Sequence, residues 1–316
     1  MDAVRLSERL SHLRRVVLIA VKIVFSAREH RRFHQLKMPT YASSYRAHLA
    51  RLISSHGYDR AMDLVVGGEY LVNSVIESSA LIHLGLLRMH TVVDVGCGTG
   101  RLPYGLRSYL AGRYYGIDIL DEALVFARTK CCRPDWQFIS NKRSTIPVPS
   151  GVADFVTFFS LFTHLLDEEV FKFLREAKRV VKPDGKIVLS FLDYDCEAHW
   201  SIFLETVENE NPHRVLNRFM MKSMIQRWAW RLGLNVETIY EGTQKWVPLR
   251  EEVRRDNGNV LRGTIEFGQS VAVLGIFPEA EYITRHPDVG NAVTAGTFMS
   301  GAQHYAICGF REGREL

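Results

Sequence analysis

Cysteine is scarce and unpatterned in this chain of 316 residues. The five cysteines, at 97, 131, 132, 196 and 308, form no C-x-x-C pair and show no Cys/His ligand spacing. No metal site and no disulfide framework is therefore expected, and a reducing, cytoplasmic setting is. A membrane span is missing where the sequence comes nearest to one: the apolar run Val16 to Phe25 has ten residues, contains Lys22 and leads into no small-residue cleavage site. Charge of one sign is missing from the body of the chain. The first 40 residues carry nine Lys or Arg against three acids, a net of +6, whereas the whole chain carries +5. Basic residues interleaved with aromatics, the footprint of a nucleic-acid binder, are absent, so no nucleic-acid partner is expected. The N-terminal segment reads as a basic helix that docks on a partner or lies on an anionic membrane surface, which makes peripheral contact at the inner face of a membrane an expectation.

What is present starts with Val92 to Leu102, Val-Val-Asp-Val-Gly-Cys-Gly-Thr-Gly-Arg-Leu: a buried-strand run, an acid, then glycine at every second position. Glycines at 96, 98 and 100 let the backbone turn off a strand end and let a ligand approach main-chain N–H groups closely. A dinucleotide fingerprint needs G-x-G-x-x-G, but the sixth position here is Arg101, and Asp94 beside the loop would repel a pyrophosphate. The loop suits a cationic ligand. A second apolar run, Arg113 to Leu120, closes on Asp118, 24 residues after Asp94. In a strand-helix-strand unit that spacing puts a carboxylate at the tip of the neighbouring parallel strand, within reach of a ribose diol.

Further runs continue the alternation. Leu102 to Ala111 reads as the connecting helix, Trp136 to Ser140 and Ala153 to Ser160 as strands three and four, and Asp167 to Val181 as an amphipathic helix. Lys182-Pro183-Asp184-Gly185 is turn chemistry before a fifth strand, Lys186 to Leu192. Arg214 to Leu232 reads as a helix, and Asn235 to Glu241 and Ser270 to Ile276 as the last two strands. Asp256-Asn257-Gly258-Asn259 marks a hairpin turn between them, in an insertion on the substrate side or at the rim. The expected fold class is α/β, a doubly wound, mostly parallel sheet.

Motif 92–102, Asp118, the Ile146 to Gly151 turn and the Arg-Val-Val-Lys-Pro-Asp-Gly run at 179–185 together resemble the class I S-adenosylmethionine-dependent methyltransferases. The resemblance spans roughly residues 60 to 277 and implies the Rossmann-like form of this sheet, seven strands with an antiparallel last strand. It implies S-adenosylmethionine as cofactor, placed against Asp94, Gly96, Cys97, Gly98, Gly100, Asp118, Ile119, Asn141 and Ser160, with Asp94 favouring its positive end. Cys97 is expected inside the loop because it is small. Where many relatives carry an adenine-binding aspartate after strand three, this chain has Asn141-Lys142-Arg143, and only Asn141 can accept a hydrogen bond.

The division expected is a basic helical segment at 1–40, a helical cofactor-capping region at 41–90 with a loop at 65–69, the methyltransferase domain at 91–278, and a short module at 279–316. That last module resembles a repeat of bacterial polysaccharide-associated proteins, through Tyr282, Pro287-Asp288-Val289, His304-Tyr305 and Glu312-Gly313-Arg314. The resemblance implies a bacterial source. The implied activity is methyl transfer to a small-molecule or glycan acceptor at a hydroxyl oxygen. His164, directly after strand four, is the candidate general base because imidazole ordinarily titrates near about 6.5. Asp193, Tyr194, Asp195, His199 and Trp200 crowd a second loop at the same edge. The alternative is a non-catalytic protein that keeps the fold as an interaction module.

Overall fold

β1 (Val92–Val95) is buried at all four positions and lies in the middle of a sheet, hydrogen-bonded in parallel to β2 (Tyr114–Asp118) and to β4 (Ala153–Phe158). Strands covered on both faces need apolar residues at successive positions, which these runs supply. The computed structural model describes residues 41–208, 217–250, 253–255 and 258–316. The basic segment at 1–40 lies outside the described residues.

β3 (Gln137–Ser140) pairs with β2, and β5 (Val181–Asp193) with β4, all in parallel. β12 (Ser270–Ile276) then runs antiparallel to β5 and to β7 (Leu234–Tyr240), giving the order β3-β2-β1-β4-β5-β12-β7. The chain leaves β1 toward β2 on one side and returns to β4 on the other. The carboxyl ends of β1 and β4 therefore flank a topological switch point, the crevice where open α/β sheets bind ligands.

The sheet differs from the expected seven strands by one. Phe219–Met220 forms a short strand, β6, parallel to the tip of β5, where a helix from 214 was expected; the helix itself is Lys222–Arg231. The connecting helix after the glycine loop is also shorter than Leu102 to Ala111. It spans Arg101–Leu106 and gives way to a turn in which the Tyr109 hydroxyl donates to the Leu86 carbonyl at 2.7 Å. Nor does Lys182-Pro183-Asp184-Gly185 precede the fifth strand. It is a bulge inside β5, since Ala153 pairs with Val181 and Phe155 already with Lys186. Turn residues suit either role, because both leave ladder positions unpaired.

Helix Asp167–Val180 buries Val170, Leu174, Ala177 and Val180 along one stripe, with three acids in its first turn and Lys178 and Arg179 in its last, the distribution that suits a helix dipole. Arg179 reaches back to the carbonyls of Ile146 and Val148, at 2.7 and 3.0 Å, and so fixes the turn before β4.

Helices Tyr41–His56, Tyr58–Leu64 and Tyr70–His83 precede β1, with the expected loop at 65–69. The insertion between β7 and β12 carries β8 (Lys245–Pro248) paired with β11 (Thr264–Glu266), and β9 (Val253–Arg254) paired with β10 (Val260–Leu261), the hairpin expected around Gly258. Trp246 and Val247 of β8 are buried in the same core as Val72 and Ile76, so this insertion packs on helix Tyr70–His83. Residues Ser44–Leu316 cluster as one unit. Among the described residues, no helix is long and apolar enough to cross a membrane.

The segment after β12 is helical: Glu279–Arg285, Pro287–Thr294, Gly301–His304, then a π turn, Tyr305–Gly309. Its core of Phe277, Tyr282, Val289 and Ala302 also takes in Trp230, which belongs to helix Lys222–Arg231. The residues that carry the repeat resemblance tie this segment together. Arg314 donates to both oxygens of Asp288, at 2.9 and 2.7 Å, and to Glu312 at 2.6 Å. Tyr282 Oη and His304 Nδ1 are 3.0 Å apart.

Candidate functional site

The glycine loop leaves β1 with φ of +78°, +52° and +89° at Gly96, Gly98 and Gly100, the left-handed region that strains other residues. Space matters as much as angle. A Cβ at Gly98 would lie 2.8 Å from the Val66 side chain, and one at Gly100 2.7 Å from Ala127. The loop is thus pressed between the 65–69 cap and the helix after β2. Cys97 is buried with its Sγ over Gly116, which fits the expectation that a small residue is needed there.

Asp118 ends β2 beside this loop. One carboxylate oxygen accepts from Gly98 N–H and the other from Leu120 N–H, both at 2.9 Å. Burial raises its pKa, while the backbone amides of Leu120, Gly98 and Ile119 pull it back. A carboxylate oxygen accepts more than one hydrogen bond, so both retain capacity toward a diol. Ile119 is half-buried against the cluster of Leu49, Met62 and Phe126.

Asp94 is placed differently from expectation. It is 3 % exposed, and its two oxygens accept from Tyr114 Oη at 2.6 Å and Thr157 Oγ1 at 2.8 Å. Burial pushes its pKa up to about 6 against the opposing effect of these two bonds. The carboxylate joins β1 to β2 and β4 beneath the loop instead of standing open beside it. Asn141 also serves its own turn: its amide nitrogen donates to the carbonyls of Arg143 and Thr145, and its side-chain oxygen accepts from Arg143 N–H at 3.1 Å. The oxygen expected to meet adenine already holds that turn.

The cap was legible only as a helical region with a loop. Tyr70 Oη donates to the carbonyls of Gly100 and Thr99, at 2.8 and 3.1 Å. Arg101 donates to the Val66 carbonyl at 2.6 Å and pairs with Glu77 at 3.0 Å, the two side chains being 13 % and 7 % exposed. Burial pushes Glu77 up to about 7, with Arg101 opposing. Sequence distance hides these partners: Val66 and Arg101 are 35 residues apart.

At the end of β4, Ser160 has φ +54°, an uncommon conformation for a residue with a side chain. Its N–H donates to Ser190 Oγ at 2.7 Å, and Ser190 donates to Gln269 at 2.6 Å. The 3₁₀ turn Phe162–His164 follows, with His164 half-buried and its ring edge-on to Tyr45 at 5.5 Å. The second loop is only partly available. His199 is buried, accepts from Asp193 N–H at Nδ1 (2.9 Å) and lies 3.2 Å from the Gly268 carbonyl at Nε2. Asp193, also buried, accepts from Asp195 N–H and sits 3.5 Å from Lys222 Nζ. Both residues brace the loop. Tyr194, Asp195 and Trp200 are exposed.

A glycine loop and a strand-end acid meet at the switch point of a mostly parallel sheet, the place where open α/β sheets take ligands. Residues 93–189 match the model of a methyltransferase domain. Solved structures agree on the fold. A methyltransferase in complex with a methyltransferase activator from Haloferax volcanii is 17% identical, with a TM-score of 0.51 over 75% of this chain and 98% of that one. The mitomycin 7-O-methyltransferase is 15% identical, with a TM-score of 0.50 over 72% of this chain and 60% of its own. S-adenosylmethionine is the cofactor of this kind of domain. The residues present fit it: the glycine cradle has no room for side chains, Asp118 stands at the strand tip, and the buried Thr99 hydroxyl in the loop has no protein partner.

Proposed function

We propose that the chain transfers a methyl group from S-adenosylmethionine to a hydroxyl of a small-molecule or glycan acceptor. The observation that carries this reading is the left-handed glycine loop Gly96, Gly98 and Gly100, hydrogen-bonded to Asp118 at the tip of the next strand. The cofactor supplies an electrophilic methyl on a sulfonium centre; the chain holds it and aligns the acceptor for in-line attack. Asp118 would accept from the ribose diol, while the amides of Gly96, Cys97, Gly98 and Gly100 are bonded within the chain and hold the loop in shape. His164 takes the proton of the acceptor hydroxyl. Its support is its place on the turn after β4. The five cysteines are all free, in keeping with a cytoplasmic setting. The basic first 40 residues suit contact with an anionic bilayer, which liposome sedimentation at low and high salt would test, since screening must weaken it.

Titration calorimetry of the full chain with S-adenosylmethionine tests the assignment. The chain should bind, and Asp118→Ala should weaken binding roughly tenfold or more, as expected for losing a charge-assisted contact worth about 1.5 to 3 kcal/mol. Unchanged affinity in the variant removes Asp118 from the ribose. Absence of any binding heat in the parent chain would favour the interaction-module alternative.

A further inference from the structure

The π turn Tyr305–Gly309 is not explained by methyl transfer, and it brings three metal-ligating side chains together. Residues eight apart on an α-helix drift by about 80° around its axis. Here the Phe310 N–H bonds to the Tyr305 carbonyl and the Arg314 N–H to the Gly309 carbonyl, both five residues back at 2.9 Å. This wider winding reduces the drift, and single π turns inside helices concentrate at functional sites. As a result a ring nitrogen of His304, Sγ of Cys308 and a carboxylate oxygen of Glu312 all lie within 4.8 Å of one another.

We propose that His304, Cys308 and Glu312 form a site for a zinc-class divalent cation, independent of the cofactor cleft. The donor set of imidazole, thiolate and carboxylate is the mixture zinc accepts, and three protein ligands leave a fourth position for water. Zinc bonds of about 2.0 to 2.3 Å place tetrahedral donors about 3.3 to 3.7 Å apart, so the three close by up to about 1.5 Å. His304 Nε2 and Glu312 Oε2 are already 3.9 Å apart.

The surroundings hold the histidine as a ligand is usually held. Its Nδ1 meets the Tyr282 hydroxyl at 3.0 Å, and the Phe298 ring packs edge-on at 4.8 Å. With Nδ1–H donating to Tyr282, Nε2 presents its lone pair toward Cys308 and Glu312. Arg314 donates to the same Glu312 Oε2 at 2.6 Å and so orients the carboxylate, whose oxygen keeps a lone pair for a cation. The sequence reading missed this set because it looked for short Cys/His pairs, whereas the spacing is one ligand every fourth residue.

The test uses the full chain stripped of metal, titrated with zinc against a chromophoric chelator and, separately, with cobalt(II). One Cys308-dependent equivalent of zinc should bind, and the cobalt form should show a near-ultraviolet thiolate charge-transfer band. Cys308→Ser keeps size and fold; it should weaken zinc binding at least tenfold and abolish the band, while Cys132→Ser, at an exposed cysteine elsewhere, should change neither. The proposal is overturned by zinc affinity and stoichiometry that are the same in Cys308→Ser as in the parent chain, or by a cobalt form without the thiolate band.

Discussion

Arg101→Met should destabilise the folded chain by an amount that grows with pH. The loss is about 1 kcal/mol in mild acid and rises by roughly 1.4 kcal/mol for each pH unit above about 7, toward the ~3 to 5 kcal/mol that removing one partner of a buried ion pair costs at most. Glu77 would be left with no counter-charge at its carboxylate, and the cap would lose its bond to the Val66 carbonyl. The pH dependence has a definite sign. Glu77 titrates at about 7 in the folded chain against an ordinary 4.5, so it binds its proton more tightly when folded, and its contribution to stability declines as pH rises through that interval. Without Arg101, which holds the value down, the folded pKa moves higher still. At about pH 5.5 the carboxyl is largely protonated in the folded parent and variant alike, and the variant should lose only about 1 kcal/mol for the missing hydrogen bond. The gap should widen above about pH 7, where the parent keeps a paired carboxylate and the variant must keep a proton. Urea unfolding at both pH values checks this; an equal loss at the two would show that the pair carries no charge-dependent stability.

His164→Gln should lower turnover by at least about 100-fold, the lower bound for general-base assistance, while cofactor affinity stays nearly constant. Glutamine keeps approximate size and hydrogen-bonding capacity but cannot take a proton. The readout is single-turnover methyl transfer to a hydroxyl acceptor chosen from a panel of sugars and phenols, beside calorimetry with S-adenosylmethionine. A variant with near-normal turnover would leave His164 a loop-shaping residue set against Tyr45. The base would then be sought at Asp195, which is exposed, before Asp193 or His199, whose polar atoms are engaged.

The strands were legible because what specifies them is local. β1, β2, β4 and β12 are apolar runs bounded by turn chemistry, and the glycine loop needs no distant partner to be read. Asp94 was legible as an acid but not as a strap, because Tyr114 and Thr157 meet it only through the register that sets it opposite Gly116 and Thr157. Asn141 and His199 show the same limit from the other side. Residue type advertised capacity, yet local backbone groups already engage it: Asn141 Oδ1 holds the Arg143 N–H and keeps one lone pair, whereas both ring nitrogens of His199 are taken. β6 escaped detection because two residues carry no periodicity; only pairing with Leu192 and Asp193 makes them a strand.

The position of β12 has a consequence for assembly. β7 is made before β12, yet β12 is its partner in the sheet, and β12 also covers β5. While the chain is being synthesised, β5 therefore presents an open edge until residues 270–276 arrive, and such an edge can template pairing with another nascent chain. A stalled or nicked product ending before Ser270 would keep that edge permanently. Such a fragment should aggregate more readily than the full chain, although it would contain the entire glycine loop, Asp118 and His164.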